Sequence, residues 1–284
     1  MEIINRRQRM FSIARKLRRE EKSVGFVATM GALHAGHLEL VREARARCDI
    51  VVVSIFVNPS QFNDRSDLEE YPRDLTADAA MLAEYDVDYI FAPDVEEIYP
   101  TGFSTYVDVE ALADKFEGAS RPGHFRGVAT VVTILFNTVR PDFAFFGQKD
   151  AQQVAVIKRL TRDLGFEIEI VVIQTQREES GLAMSSRNER LSSEERAKAA
   201  VIITALREAK TAYKKGERNA ADLTEIVKDR IGSEPLARLD YVAVVDRDSL
   251  QTLENIGDDE ALIMIAAYIG DVRLIDNVIL NRKQ

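Results

Sequence analysis

The chain reads as an α/β protein, a Rossmann-like parallel-sheet domain followed by a smaller C-terminal α+β domain that contains antiparallel strands. Three observations lead there. From residue 24 to about 173, short β-branched or aromatic runs alternate with helical patterns, the rhythm of a parallel sheet with right-handed crossovers. One of those runs, IVVVSIFV at 50–57, is apolar on both faces, as a fully covered central strand should be. After about residue 175 the rhythm gives way to helices followed by strands, the last two joined by a Gly270-Asp271 turn of the kind that closes a hairpin.

Taken in order, Met10, Phe11, Ala14 and Leu17 fall at helical spacing in an Arg-rich opening segment. A transit peptide shares that basic, amphipathic look, but Glu20 and Glu21 follow at once, so a first helix with a solvated basic face is the better reading. VGFVA at 24–28 predicts a strand, and a helix follows near 37–47 with Leu38, Val41, Ala44 and Cys48 on one face. Beyond the 50–57 run, TADAAMLAEYD reads as helix and VDYIFAP as strand. A long helical segment near 126–139 precedes a strand at 142–147, a helix at 150–164 and a strand at 168–173. Ser192 with Glu195 fits a capping box opening one helix through EERAKAAVIITALREAKTAYKK, stopped at Gly216. A second helix near 219–231 leads into LDYVAVVD, ALIMIAAYI and VRLIDNVIL. The domain boundary is expected within 174–190, giving 1–175 and 176–284.

Composition narrows the class. At 284 residues, 46% hydrophobic and 30% charged, the chain is long enough for a large core and has a soluble globular profile. A formal charge of −9 argues against broad nucleic-acid binding, which rests on Lys and Arg neutralising phosphates. No apolar run approaches the ~20 residues a membrane helix needs. Cys48 is the only cysteine, which precludes an internal disulfide and suits a reducing, cytoplasmic setting.

Polar clusters directly follow three of the predicted strands: Thr29–His37, Asn58–Phe62 and Gly147–Gln153. Strand ends of this kind gather along one edge of an open parallel sheet, where ligands bind. In the first cluster, GALHAGHL nearly fits the phosphate loop G-x-x-x-x-G-K-[ST], with Gly31 and Gly36 bracketing a turn. His37 stands at the lysine position and Leu38 at that of the Mg²⁺-binding hydroxyl. What remains is a Gly-rich turn entering a helix N-terminus, which favours anions, with two imidazoles, His34 and His37, three residues apart. A zinc site from this pair would need Cys48 or His124 as a further ligand, and Cys48 falls about three turns along the helix. The second cluster offers the amides of Asn58 and Gln61, which both donate and accept; Asn-Pro-Ser also terminates strands in its own right. The third puts Lys149 at a strand-to-helix junction beside Asp150 and Gln153, a fitting partner for phosphate. A fourth stretch, at 177–192, combines Gly181 with Ser185, Ser186 and the guanidinium of Arg187, a fork matched to phosphate oxygens.

Together, TMGALHAGH, VSIFVNPSQF, YPRD, RPGHFRGVATVV, FFGQKDAQQ and GLAMSSRN, in this order over 27–191, resemble the pantoate–β-alanine ligases, within the wider nucleotidyltransferase superfamily that shares the HxGH histidine pair. The resemblance implies ATP-dependent ligation of (R)-pantoate and β-alanine to pantothenate through pantoyl adenylate, releasing AMP and pyrophosphate, with Mg²⁺ accompanying ATP. It makes 1–175 the ATP- and pantoate-binding domain and 176–284 a lid-like C-terminal domain. By the family pattern, ATP is bound by Met30, Gly31, Ala32, Leu33, His34, Ala35, Gly36, His37, Gly147, Gln148, Lys149, Asp150, Met184, Ser185, Ser186 and Arg187, and by the backbone at Gln176. Gln61 and Gln153 hold pantoate, Gln61 also nears β-alanine, and Asn58 belongs to the same pocket. His37, His34 and Lys149 form the catalytic set, and no protein-bound metal is implied. The family suggests a homodimer. Four positions depart from its usual pattern: Ala28 replaces a proline, Gln148 a glutamate, and Gln174 and Gln176 turn a P-T-V-R-E into QTQRE at 174–178. Another adenylyltransferase using the histidine pair would not require NPSQF and GQKDAQQ together; a non-catalytic nucleotide- or metal-binding module is the alternative from a different class.

Overall fold

The structure is a computed structural model that describes residues 1–63, 68–257 and 260–281. The chain forms two compact units, one comprising 1–147 and 156–173, the other 148–155 and 174–284.

The first unit is built on six parallel strands, β1 (Glu2–Ile4), β2 (Val24–Thr29), β3 (Ile50–Ile55), β4 (Tyr89–Phe91), β5 (Phe143–Gly147) and β6 (Glu169–Ile173). Their order in the sheet is β1-β4-β3-β2-β5-β6. From β2 the chain builds outward to β3 and β4 on one side, then returns to add β5 and β6 on the other. That reversal makes the carboxyl end of β2 a topological switch point, where open α/β sheets bind ligands. Helices α1 (Arg7–Arg19), α2 (Ala35–Arg47), α3 (Leu75–Ala83) and α4 (His124–Val139) belong to this unit. Leu40, Val41 and Ala44 of α2 join Val27, Val51, Val53, Ile90 and Phe145 in one buried cluster. α2 ends at Cys48, whose thiol is buried and pushed up to about 11 chiefly by desolvation.

The second unit holds α6 (Ser193–Lys198), α7 (Val201–Lys214), α8 (Ala220–Gly232) and an antiparallel sheet β7 (Ala237–Asp246), β8 (Ala261–Ile269), β9 (Val272–Leu280). Ile202, Leu206 and Ala209 of α7 and Leu223 and Val227 of α8 pack with Ile263, Ile265 and Leu274 of the sheet. The strand β8 is buried at nearly every position, which explains its unbroken apolar sequence. Helix α5 (Ala151–Asp163), preceded by a 3-10 turn over Gln148–Asp150, starts with residues of this unit.

Several elements differ from expectation. The segment 148–155 groups with the C-terminal unit, so the chain divides at more places than the single expected cut at 175/176. The helix expected through 194–215 is two helices, meeting at Ala199 and Ala200. There the N–H of Ile202 reaches the carbonyl of Ala199 at 3.1 Å, a tightened three-residue step. Strand β1, three residues long, leaves too short a pattern to read, and β3 stops at Ile55 rather than running to 57. The Ser192–Glu195 capping box forms as expected, with Glu195 Oε2 accepting the Ser192 N–H at 2.8 Å.

Candidate active site

The loop after β2 is tied down by side-chain hydrogen bonds. Thr29 Oγ1 donates to the Ser54 carbonyl at 2.7 Å and accepts the Gly31 N–H at 3.2 Å, fastening the loop to β3. Gly31 and Ala32 then adopt left-handed φ values of 83° and 51°. A Cβ on Gly31 would stand 2.8 Å from an Asp78 oxygen, so conformation and space both call for glycine here. Asp78 on α3, 3% exposed, accepts the N–H groups of Ala32 at 3.1 Å and Leu33 at 2.9 Å. Its carboxylate thereby takes two backbone donors that the tight turn leaves without ladder partners.

α2 begins earlier than expected. His34 is its N-cap, and Gly36 lies in the first helical turn rather than at the end of a bracketed loop. The two histidines cap the helix reciprocally. His34 Nδ1 accepts the Gly36 N–H at 3.1 Å, and His37 Nδ1 receives the His34 N–H at 3.4 Å. Their rings lie 4.1 Å apart between centroids. An Nδ1 that accepts leaves the proton of a neutral ring on Nε2, so each imidazole presents Nε2 as a donor at the start of a helix. Anions are favoured there by the helix dipole as well.

The Asn-Pro-Ser turn carries Gln61 beside this loop. Asn58, 1% exposed, is engaged at both ends of its amide. Nδ2 donates to Gln61 Oε1 and to the Gly127 carbonyl, each at 3.1 Å, while Oδ1 accepts Ser60 Oγ and the Tyr99 hydroxyl, each at 2.8 Å. Gln61 Nε2 lies 2.9 Å from Met30 Sδ, so the second cluster and the first meet. The Gln61 carbonyl pairs with His124 Nδ1 at 2.8 Å and accepts Arg121 at 3.3 Å. A Cβ at Gly127 would come within 2.4 Å of the Ser60 carbonyl oxygen; only glycine lets α4 and this turn approach so closely. Gly147, which closes β5, is the remaining candidate in this unit.

The C-terminal unit holds the other candidates. Lys149, with a side chain 18% exposed, sits 3.9 Å from Asp150. Asn277 of β9 donates to the carbonyls of Gln148 at 2.9 Å and Lys149 at 3.0 Å, and accepts Gln148 Nε2 at 3.0 Å. Gln153 is half-buried in the first turn of α5. The Met184 N–H donates to the Gln176 carbonyl at 2.9 Å, and a bridge pairs Arg177 with Ala183. Ser185 Oγ caps the 3-10 turn Ser186–Arg190 by accepting the Arg187 N–H at 3.3 Å. Arg177 makes a two-pronged ion pair with buried Asp276, at 2.6 and 3.0 Å. Glu178 accepts Asn188 at 2.8 Å and Arg196 at 2.9 Å, and the Arg196 guanidinium holds its carboxyl below the usual range.

Asp78, Asn277 and the Arg177–Asp276 pair were not singled out as site residues from the sequence, and His124 was raised only as a zinc ligand. The signal was present for three of them: Asp78 interrupts an Ala/Met/Leu helix, and Asp276-Asn277 interrupts an apolar strand. Buried polar groups persist only with partners. His124 is turned to the Gln61 carbonyl, and among the described residues no three His, Cys, Asp or Glu side chains gather to share a metal ion.

A parallel sheet with its switch point at a histidine-capped helix defines the Rossmann-like α/β class with an HxGH loop. The family model described as Pantoate-beta-alanine ligase matches residues 2–279, and the chain belongs to that family. It is 53% identical over 271 residues, 95% of the chain and 96% of the relative, to the pantothenate synthetase of Pelotomaculum thermopropionicum. A solved pantothenate synthetase from Thermus thermophilus superposes with a TM-score of 0.92 at 45% identity, covering 99% of this chain and all of that one. The ligase from Francisella tularensis, solved in complex with βγ-ATP and β-alanine, gives 0.79 at 38% identity, with 98% and 97% covered. The family's reaction is the ATP-dependent ligation of pantoate and β-alanine, and the chain is a carbon–nitrogen ligase of that family.

Proposed function

We propose that the chain makes pantothenate in two steps. The carboxylate of (R)-pantoate attacks the α-phosphorus of ATP, forming pantoyl adenylate and expelling pyrophosphate. The amine of β-alanine then attacks the acyl carbon, and AMP leaves. The substrate carboxylate is itself the nucleophile, so the protein's task is to align reactants and stabilise charge moving to the leaving group.

His34 and His37 carry this reading. Their Nδ1 atoms are committed to backbone N–H groups, which directs both Nε2–H donors to phosphate oxygen, with His37 as proton donor to the leaving pyrophosphate. Met30 to Gly36 bind the nucleotide, with Gly147. Gln148, Lys149, Asp150, Met184, Ser185, Ser186 and Arg187 also bind ATP, the ammonium and guanidinium neutralising phosphate charge. Gln176, whose carbonyl is taken by Met184, contacts adenine through its remaining backbone. Gln61 and Gln153 hold pantoate, and Gln61 nears β-alanine. Asn58, with its amide engaged at both ends, acts by fixing the Gln61 side chain. Mg²⁺ bound to the ATP phosphates, the usual mode for a cation that dehydrates reluctantly, would supply charge neutralisation there. A homodimer working in the cytoplasm completes the proposal.

Incubation with ATP, pantoate, β-alanine and Mg²⁺ should yield AMP, pyrophosphate and pantothenate in equal amounts. Formation of ADP in place of AMP would rule out the adenylate.

A further inference from the structure

The strand β9 is largely apolar except at its centre, where Asp276 and Asn277 are both buried. Two adjacent polar side chains there cost stability unless their hydrogen-bonding capacity is met. Asp276 is accounted for by Arg177. Asn277, 4% exposed, makes a different set of bonds. Both hydrogens of Nδ2 go to consecutive main-chain carbonyls, those of Gln148 and Lys149, and Oδ1 receives the Gln148 side-chain amide. Two donors and one acceptor all end on a three-residue turn, and the sheet supplies the rigid base.

The geometry points to Asn277 as a positioning residue for the Lys149 ammonium. A lysine has a flexible four-carbon stem, so where its charge sits depends first on where its Cα is held. Clamping the carbonyls on residues 148 and 149 fixes the peptide planes from which that stem departs. Asp150, 3.9 Å from Nζ, then limits its swing. Misplacing a reacting or stabilising group by about 1 Å costs on the order of 10² in rate, so a clamp of this kind belongs to the machinery of the first step. The Gln148–Asn277 bond ties in the departure at position 148. A glutamine offers an N–H to Asn277 Oδ1, whereas a glutamate would set a carboxylate against that oxygen unless the turn were rearranged. The inference rests on the reading that Lys149 acts on the ATP phosphates.

The test is a double-mutant cycle on the adenylation rate, read as pantoate-dependent ATP–pyrophosphate exchange and normalised by the pyrophosphate burst to count folded active sites. Asn277→Asp is nearly isosteric and turns an oxygen toward two carbonyl oxygens; Asn277→Ser removes both donors without adding charge. Each should slow exchange by about tenfold or more, with the KM for β-alanine unchanged. Lys149→Ala should slow it by about 10²-fold, and Asn277→Asp in that background should add little. Asn277 variants with normal exchange beside a slow Lys149→Ala would overturn the positioning role alone. Losses that multiply in the double mutant would also overturn it, because Asn277 would then act through something other than Lys149. Normal exchange in Lys149→Ala would overturn the Lys149 reading and the inference with it.

Discussion

The carboxylate of Asp78 accepts the backbone N–H of Leu33 at 2.9 Å, and through Ala32 it holds both residues of the turn that precedes the histidine-capped helix. A side chain on α3 thus sets the shape of the loop after β2. Asp78→Ala leaves two backbone donors without their acceptor and should cost about 3 kcal/mol, seen as a lower midpoint in urea unfolding. Asp78→Asn keeps one acceptor oxygen and should lose about half as much. Equal stability of all three proteins would show that the turn holds without this carboxylate.

His37 offers a sharper test, because its two ring nitrogens have separate jobs. Glutamine places an N–H near the Nε2 position, whereas asparagine reaches only as far as Nδ1. Adenylate formation should fall by about 10²-fold or more in His37→Asn and by less in His37→Gln. Pyrophosphate exchange checks the order, and identical rates for the two variants would contradict the assignment of Nε2 as donor.

At Gly127 a methyl group would meet the Ser60 carbonyl at 2.4 Å and the Gln61 nitrogen at 2.8 Å. Gly127→Ala should therefore push the Asn-Pro-Ser turn off α4. Overpacking of this kind costs about 1–3 kcal/mol. The KM for pantoate should rise several-fold, on the order of the displacement effects seen when positioning is lost, while thermal unfolding reports the stability cost separately.

Glu178 links stability to pH. Its carboxyl is held below the ordinary 4.5, first by the hydrogen bond from Arg196. A depressed folded-state pKa means stabilisation that is fully present above 4.5 and lost as pH falls through the lower, folded value. Glu178→Gln should lower stability by about 1–2 kcal/mol at pH 7, discounted for the half-exposed arginine. The gap from the parent protein should close in acid. A gap independent of pH in chemical unfolding would contradict the linkage.

The sheet and most helices were legible because each strand is a short apolar run with polar punctuation, and VGFVA, IVVVSIFV and ALIMIAAYI could hardly be anything else. The edge strand Glu2–Ile4 escaped because three residues carry no period. The break at Ala199–Ala200 escaped because alanine fits a helix and a tightened turn equally well. For the site, motif order pointed to the loops, and within the first unit His34 and His37 cap one helix together while Gln61 reaches Met30 of the preceding loop. What it did not reveal was the support: Asp78 lies 46 residues from Ala32, and Asn277 lies 129 from Gln148. Such pairs are made by topology, and a single sequence encodes them only as a polar residue where an apolar one was due.

The buried thiol at the end of α2 has a practical corollary. With its pKa near 11 against an ordinary 9.0, Cys48 carries about a hundredfold less thiolate at neutral pH than an open cysteine, and it is the sole sulfhydryl in 284 residues. The wild-type chain is in effect already the cysteine-silent background that spectroscopists usually have to make by mutation. A thiol introduced on α8 or on the loop of residues 217–219 would take a fluorophore or spin label alone, so the local environment of that segment becomes measurable, with and without ATP, in an otherwise unaltered chain.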